Sequence, residues 1–242
     1  MYEHDPLWST QHYAFVNVGP GTLLDAENLP VVRQLDLPNA RLLGKHWAES
    51  EAIYNIYRSG AYRDVDFVGF LQYDKEFRLR KRRLGQRAGS TNITARIQAA
   101  LAGQSRCHIS FETHSTRWDY NQRIMADVND TETLVGNGRN CYEYILDDYN
   151  EFFGRAFTLD DVLRRRRINL CSCFLLDVGG FERMMEFFSW VVESGRLDVF
   201  DQQRRHRLQG GLAERYFGIF LLFEYDHFVD IDLHHRNLKA VV

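Results

Sequence analysis

Asp74 and Glu76, two carboxylates spaced i, i+2, end an apolar run that begins at Val65. The run is rich in Val and Phe, which predicts a strand buried on both faces, as in a parallel sheet between helices. Because ligands of open α/β sheets bind beyond the carboxyl ends of the strands, chemistry is expected at this position. Two hard oxygen ligands there could hold Mg²⁺ or Mn²⁺ against a substrate phosphate. A plain charged turn also fits the sequence, because Asp-x-Glu is a weak pattern.

Arginine is concentrated in runs at residues 78–83, 164–167 and 204–207. Guanidinium groups suit phosphates and carboxylates, so one of these runs could approach a nucleotide or an anionic acceptor. Such runs are more often solvated helix faces or loop charges. The run from Arg78 to Arg83 is a candidate for phosphate contact because it directly follows Asp74 and Glu76.

Strand and helix patterns that must position these residues alternate along the chain. Besides the run at residues 65–77, the predicted strands are residues 13–18, 107–111, 170–178 and 228–233. The predicted helices are residues 45–58, 92–101, 123–127, 142–153, 181–193 and 212–223. Ser59-Gly60 should end the first helix, Gly179-Gly180 should break the strand before residue 181, and Gly210-Gly211 should open the last helix. The order predicts an α/β fold.

Composition places the chain among ordinary globular proteins. It has 242 residues, of which 45% are hydrophobic and 26% charged, and a net charge of −3 that gives no general attraction to nucleic acid. Four irregularly spaced cysteines do not form a disulfide framework, so free thiols in a reducing compartment are expected. The N-terminus lacks a signal-peptide pattern, and the apolar stretch at residues 216–223 is far shorter than a membrane span. A cytoplasmic protein without a transmembrane segment is predicted.

The order of four segments resembles small glycosyltransferases of the GT-A type, which build polysaccharides and surface glycans from nucleotide sugars. The segments are residues 47–54, 68–74, 173–176 and 213–217, and the resemblance covers about residues 42–222. It implies a GT-A-like, Rossmann-type α/β fold with a mixed, mostly parallel sheet flanked by helices. One domain would span residues 1–242, with a nucleotide-binding half at about 1–110 and an acceptor-binding half at about 111–242.

The resemblance also implies roles for the two carboxylates. Asp74 and Glu76 match the family's Asp-x-Asp position, which holds a divalent metal, Mn²⁺ or Mg²⁺, on the donor diphosphate. A fixed cation there stabilises the negative charge of the departing nucleoside diphosphate. Glu76 departs from the family's second Asp and lengthens one ligand arm. A further ligand is often a C-terminal His, for which His227, His234 and His235 are candidates, although a single His is usually a surface or hydrogen-bonded residue.

Glu214 matches an acidic position of the family pattern and is the candidate catalytic base, with Asp74 as its partner in catalysis. Inverting transfer needs a carboxylate that removes a proton from the attacking hydroxyl. A purely structural role for Glu214 explains the sequence equally well. A Glu in the first helical turn complements the helix dipole, and Arg215 could pair with it.

Candidate nucleotide contacts are spread over the first part of the chain. They are Phe15 and Asn17 on the first strand, Lys45 and Glu49 at the first helix, and Tyr73 with Asp74. Polar and aromatic side chains that suit sugar hydroxyls and ring faces are His114, Trp118 and Asp119. An ordinary ordered loop would explain the same three residues.

The expected function is transfer of a sugar from a nucleotide donor, with a UDP-sugar favoured, to a glycan hydroxyl with Mn²⁺ or Mg²⁺. Its partners would be the nucleotide sugar and the glycan acceptor, and not nucleic acid. One alternative is a metal nuclease or phosphate-binding protein that uses Asp74, Glu76 and the run from Arg78 to Arg83. Another is a non-catalytic glycan-binding relative. Donor sugar, acceptor, stereochemical course and oligomeric state stay open at this point.

Overall fold

The structure is a computed structural model that describes part of the chain. The described residues are 15–17, 31–33, 36–44, 46–70, 75–77, 108–110, 113–115, 141–165, 167–169, 172–199, 208–225, 228–230 and 233–235. The strands are β1 (Phe15–Asn17), β2 (Val31–Arg33), β3 (Phe67–Phe70), β4 (Lys75–Phe77), β5 (His108–Ser110), β6 (Thr113–Ser115), β7 (Arg167–Asn169), β8 (Phe174–Asp177), β9 (Phe228–Asp230) and β10 (Leu233–His235). The helices are α1 (Glu49–Ser59), α2 (Cys141–Phe153), α3 (Leu159–Arg164), α4 (Val178–Glu193) and α5 (Leu208–Glu224), with a 3₁₀ turn at Arg196–Val199.

A four-stranded sheet in the order β3-β8-β5-β9 forms the largest β unit among the described residues. Strand β8 is antiparallel to both β3 and β5, whereas β5 is parallel to β9. Strands β3, β5 and β9 therefore run in the same direction. Their carboxyl ends lie at the same end of the sheet as the amino end of β8. Within the described strands the sheet is mixed, and the wider Rossmann-type arrangement stays a prediction.

Three two-stranded sheets accompany the larger one. Strand β1 pairs with β2 in parallel, β4 pairs with β10 antiparallel, and β6 pairs with β7 antiparallel. The predicted strand at residues 228–233 is therefore two strands, β9 and β10, that belong to different sheets.

Helices α1 and α4 agree with the sequence pattern, because their apolar residues recur at helical spacing and face the core. Gly60 adopts the left-handed conformation, with φ 69° and ψ 15°, and ends α1 as predicted. In α4 the buried residues are Phe181, Met184, Met185, Phe187, Phe188 and Val191. Helix α5 is apolar on nearly every side and contacts α1, α2, α4 and β7, so it forms the centre of the helical layer. No helix in the described ranges combines the length and apolarity that crossing a bilayer requires.

Strand β8 ends at Asp177, just before Gly179-Gly180 as predicted, but both glycine pairs belong to helices that begin earlier than the sequence indicated. Gly179 and Gly180 form the first turn of α4, where Asp177 caps the helix by accepting from the Gly180 amide at 2.8 Å. Gly210 and Gly211 lie within α5, which begins at Leu208. A glycine in a helix interior costs about 1 kcal/mol relative to Ala. At Gly210 a Cβ would lie 2.9 Å from the Trp47 carbonyl oxygen, and at Gly180 it would overlap the Tyr225 hydroxyl, so these two positions leave no room for a side chain. The predicted helices at 92–101 and 123–127 lie outside the described residues.

A buried carboxylate ties α5 to α2. Asp148 accepts a hydrogen bond from the Tyr216 hydroxyl at 2.5 Å and one from Arg196 at 3.3 Å. The hydroxyl of Tyr149 donates to Glu224 at 2.5 Å in a second bond between the same two helices. Burial raises the pKa of Asp148 above its ordinary value of 3.8, although the Tyr216 hydroxyl and Arg196 lower it in part.

The raised pKa gives a pH-dependent contribution to stability. Between the ordinary pKa of 3.8 and the higher folded pKa, the folded protein binds the Asp148 proton more tightly than the unfolded chain does. We therefore expect the free energy of unfolding of the wild type, relative to Asp148→Asn, to fall as pH rises through that window. Urea denaturation of both proteins from pH 4 upward measures the difference; a difference that grows in favour of the wild type as pH rises contradicts the prediction.

Candidate functional site

The end of the sheet at which β3, β5 and β9 have their carboxyl termini is where a ligand is expected in such a sheet. Strands β3 and β9 are the two edge strands of the sheet. The strands that follow them in the sequence, β4 and β10, nevertheless pair with each other. Only residues 71–74 separate β3 from β4, and only residues 231–232 separate β9 from β10. The β4–β10 pair therefore lies at the same end of the sheet. Tyr73 and Asp74 fall within the first link, outside the described residues.

Glu76 and His234 are direct partners in the β4–β10 pair, and Lys75 is the partner of His235. Directly opposed residues of an antiparallel pair share one face, with Cα atoms about 4.5–5.5 Å apart. Successive residues of a strand alternate between faces, so His235 is placed on the other face. The register thus distinguishes His234 from His235, which the sequence could not do. His227 lies outside the described residues.

Glu214 lies between two close contacts of α5. Gly210, Glu214 and Gly218 are spaced four apart, so they share one face of the helix. At Gly210 an added Cβ would lie 2.9 Å from the Trp47 carbonyl oxygen, and at Gly218 it would lie 2.3 Å from the Asn169 carbonyl oxygen. Two contacts eight residues apart are separated by about 12 Å along the axis. Glu214 is therefore positioned between the turn that precedes α1 and strand β7.

The sequence had suggested that Glu214 lies in the first turn of its helix, and the structure corrects this. Helix α5 begins at Leu208, so Glu214 lies in its second turn. Because interaction with the helix dipole falls off within the first turn, that explanation for an acidic residue here is weakened. Arg215 donates to the Gly211 carbonyl oxygen at 2.6 Å. The half-buried position of Glu214 suits a carboxylate that handles a proton in a partly desolvated site.

The segment that leads into α1 is held by two buried polar side chains. The Glu51 carboxylate, 3% exposed, accepts from the amides of Leu43 at 2.6 Å and Gly44 at 2.7 Å. Asn55 accepts from the Arg41 amide at 2.8 Å and donates to its carbonyl oxygen at 3.1 Å. Neither Glu51 nor Asn55 was predicted from the sequence to hold this segment. Their signal was available, since two polar residues at i, i+4 interrupt the apolar face of the predicted helix.

This held segment brings two candidate regions together. The amide of Gly210 in α5 donates to the His46 carbonyl oxygen at 2.9 Å, so the turn before Glu49 touches α5 one helical turn from Glu214. Glu49 is half-buried and is the first residue of α1. Lys45 lies outside the described residues.

The remaining candidates have varied placements. Phe15 and Asn17 lie on β1, which pairs only with β2 among the described strands. His114 on β6 is the register partner of Ile168, a residue of the strand that contacts Gly218 in α5. Trp118, Asp119 and the run from Arg78 to Arg83 lie outside the described residues.

The backbone register thus pairs Glu76 with His234. The held segment before α1 brings the turn that precedes Glu49 into contact with α5, the helix of Glu214. Among the side chains that the structure describes, no group of three or more His, Cys, Asp and Glu is arranged to hold a metal ion. Comparison of the chain with protein-family models, with curated proteins and with solved structures gives no match. Function is therefore inferred from the chemistry of this chain.

Proposed function

We propose that this chain is a metal-dependent glycosyltransferase of the GT-A type that moves a sugar from a nucleotide sugar, with UDP-sugar favoured, to a glycan hydroxyl. The observation that carries the proposal is the pairing of Glu76 with His234. The strand that carries Glu76 pairs with the strand that carries His234, a residue from a distant part of the chain, and Asp74 directly precedes β4 in the sequence. Carboxylates and imidazoles are side-chain types that bind divalent cations.

The residues fit a divalent cation on a diphosphate. Asp74 and Glu76 supply the hard oxygen atoms that Mg²⁺ and Mn²⁺ take, and diphosphate oxygens complete such a shell. An imidazole ligand from His234 favours a transition metal over Mg²⁺, so Mn²⁺ is the better fit. When bound, the cation would stabilise the charge of the leaving nucleoside diphosphate.

Glu214 would take the proton from the acceptor hydroxyl in an inverting transfer. Its position between the turn before α1 and strand β7 leaves it on a face that both regions approach. Lys45 and Glu49 would contact the nucleotide from that turn, with Phe15, Asn17 and Tyr73 as further contacts. A cytoplasmic location belongs to this proposal, since the four cysteines of the chain are too few and too irregularly spaced for a disulfide framework.

Metal-dependent UDP binding tests the site directly. In calorimetric titrations we expect Mn²⁺ to raise the UDP affinity of the wild type by about tenfold or more, which corresponds to at least about 1.4 kcal/mol. Asp74→Asn and His234→Asn should lose this enhancement, because each removes a ligand. His235→Asn is the matched control, since it changes the neighbouring residue on the other face of β10 and should keep it.

Two results would contradict the assignment. If the Mn²⁺-dependent gain in UDP affinity is unchanged in Asp74→Asn, the metal-site assignment is wrong. If His234→Asn and His235→Asn lose this gain equally, the loss indicates general damage to β10. A non-catalytic relative would bind UDP but release no sugar in a screen of nucleotide sugars with Mn²⁺. A nucleic-acid-acting protein would instead bind polynucleotide with an affinity that falls steeply with salt.

A further inference from the structure

Three partly exposed aromatic rings lie together where α2, α5 and the loop at residues 154–158 meet. The ring of Phe157 stacks on that of Phe223, with centroids 4.0 Å apart and planes inclined by 9°. The ring of the buried Tyr149 contacts both, and its centroid is 4.7 Å from that of Phe153. All three phenylalanines are partly exposed, so a ligand in solution has access to them. Phe153, Phe157 and Phe223 therefore form one aromatic surface.

Two arginines lie over rings of this aromatic surface. The guanidinium carbon of Arg183 is 5.2 Å from the centroid of Phe153, and that of Arg165 is 5.8 Å from the centroid of Phe223. Both distances are within the range of cation–π attraction. Arg183 is also paired with Glu224 at 2.8 Å. The rings thus orient two charged side chains.

A third arginine, Arg155, is carried by the loop. Burial raises the pKa of the Tyr149 hydroxyl, and the charge of Arg155 lowers it in part, which places Arg155 near the same rings. Asn150 holds the loop, because its side chain donates to the Phe157 carbonyl oxygen at 2.8 Å and accepts from the Phe157 amide at 2.9 Å. Arg155 and Phe157 therefore lie on backbone that is ordered before a ligand arrives, which lowers the entropic cost of binding.

The charges of Arg155 and Arg165 are open to a partner. Both residues are exposed, and neither pairs with a carboxylate among the described residues. Asp161, which is close to Arg165, is paired with Arg164 at 3.4 Å. A planar guanidinium group binds a carboxylate through two parallel hydrogen bonds. Two such groups beside apolar rings favour a partner that carries both acid groups and apolar faces.

The aromatic surface is separate from the proposed catalytic base. Phe223 follows Glu214 by nine residues of α5, which at about 100° per residue puts it on the opposite side of the helix, about 13 Å further along the axis. A ligand bound at the aromatic surface therefore leaves Glu214 free.

We propose that the aromatic surface binds an acidic polysaccharide, whose carboxylates pair with Arg155 and Arg165 and whose sugar rings lie against Phe157 and Phe223. The choice of a glycan among anionic polymers rests on the proposed transfer to a glycan hydroxyl, and the surface holds a part of the acceptor chain remote from the reacting hydroxyl. Nucleic acid is disfavoured, because two unpaired cations are few beside the several phosphate contacts of a nucleic-acid site and the net charge is −3.

Binding of polygalacturonate to the whole chain tests the surface without using enzymatic activity. At low salt we expect the wild type to bind this polymer and not dextran, a neutral glucan, and the affinity should fall as salt screens the charges. Arg155→Gln and Arg165→Gln should each lower the affinity by about tenfold, the usual value of one charge-assisted hydrogen bond. Arg164→Gln is the matched control, because its guanidinium is already paired with Asp161, and it should stay within about twofold of the wild type. All three variants should melt as the wild type does, since the substitutions are on the surface.

Two kinds of result would overturn the inference. One is a wild type that does not bind polygalacturonate, or a loss in Arg164→Gln equal to that in Arg165→Gln. The other is binding of polyglutamate or polythymidylate as tight as that of polygalacturonate, because the surface would then recognise negative charge alone. Titration of UDP with Mn²⁺ on the same preparations keeps the two proposals apart. Absence of metal-dependent UDP binding counts against the proposed function, whereas weaker polygalacturonate binding in the Arg155 and Arg165 variants supports the aromatic surface in either case.

Discussion

Replacing Glu214 with Gln is expected to lower the rate of sugar transfer by about 10²- to 10⁴-fold, the usual contribution of a general base. The substitution keeps the size of the side chain and removes its ability to accept the proton of the acceptor hydroxyl. Because Glu214 would act on the acceptor, Mn²⁺-dependent UDP binding should stay at the wild-type level. Single-turnover transfer rates and UDP titrations on the same preparations measure both quantities.

A matched control comes from α4. Glu186 is exposed there, outside the residues proposed to handle substrate, so Glu186→Gln should transfer sugar at the wild-type rate. A transfer rate within about twofold of the wild type in Glu214→Gln would remove this residue from the base role. Equal losses of transfer and UDP binding would indicate a positional role for Glu214 instead.

Gly218→Ala is expected to destabilise the fold by about 1–3 kcal/mol, the usual cost of overpacking a core. The new Cβ would lie 2.3 Å from the Asn169 carbonyl oxygen, and a backbone atom cannot move aside as a side-chain end can. Helix α5 must then shift away from β7, and it carries Glu214 with it. Misplacement by about 1 Å can cost 10²-fold in rate, so transfer should fall more than stability alone explains.

Gly211→Ala on the same helix is the control and should have the opposite sign. Its Cβ would meet only the end of the Arg215 side chain at 3.3 Å, which can move. Removing a glycine from a helix then stabilises it by up to about 1 kcal/mol. Urea unfolding followed by circular dichroism compares the two variants. A Gly218→Ala protein as stable as Gly211→Ala would show that α5 and β7 are not in the close contact described.

The helices were the most predictable part of the fold, because an amphipathic period is a local property of the sequence. The predicted helix at 45–58 is observed at Glu49–Ser59, and that at 142–153 is observed at Cys141–Phe153. The short helix Leu159–Arg164 was missed, as were β6 and β7. Each of these elements spans six residues or fewer, so too few residues repeat to give a recognisable period.

The candidate site was predictable in its residue types and not in its geometry. Glu76 was named from the sequence and His234 was one of three candidate histidines, but the register that pairs them depends on two strands distant in the chain. The close approach of Gly218 to the Asn169 carbonyl oxygen was not identified, because nothing in a glycine of an apolar helix announces a backbone contact. That contact arises from the packing of α5 against β7, which no local pattern encodes.

The pairing of β4 with β10 also has a kinetic meaning. A folding chain makes its helical turns within about a microsecond, whereas contacts between distant segments must first overcome the entropy of closing a long loop. Glu76 and His234 lie far apart along the chain, so the pairing of their strands must overcome the entropy of closing a long loop. A fragment that ends before Leu233 keeps Glu76 and lacks the strand that faces it. Cation binding at this place would therefore report completion of the native topology and not the presence of any one peptide segment.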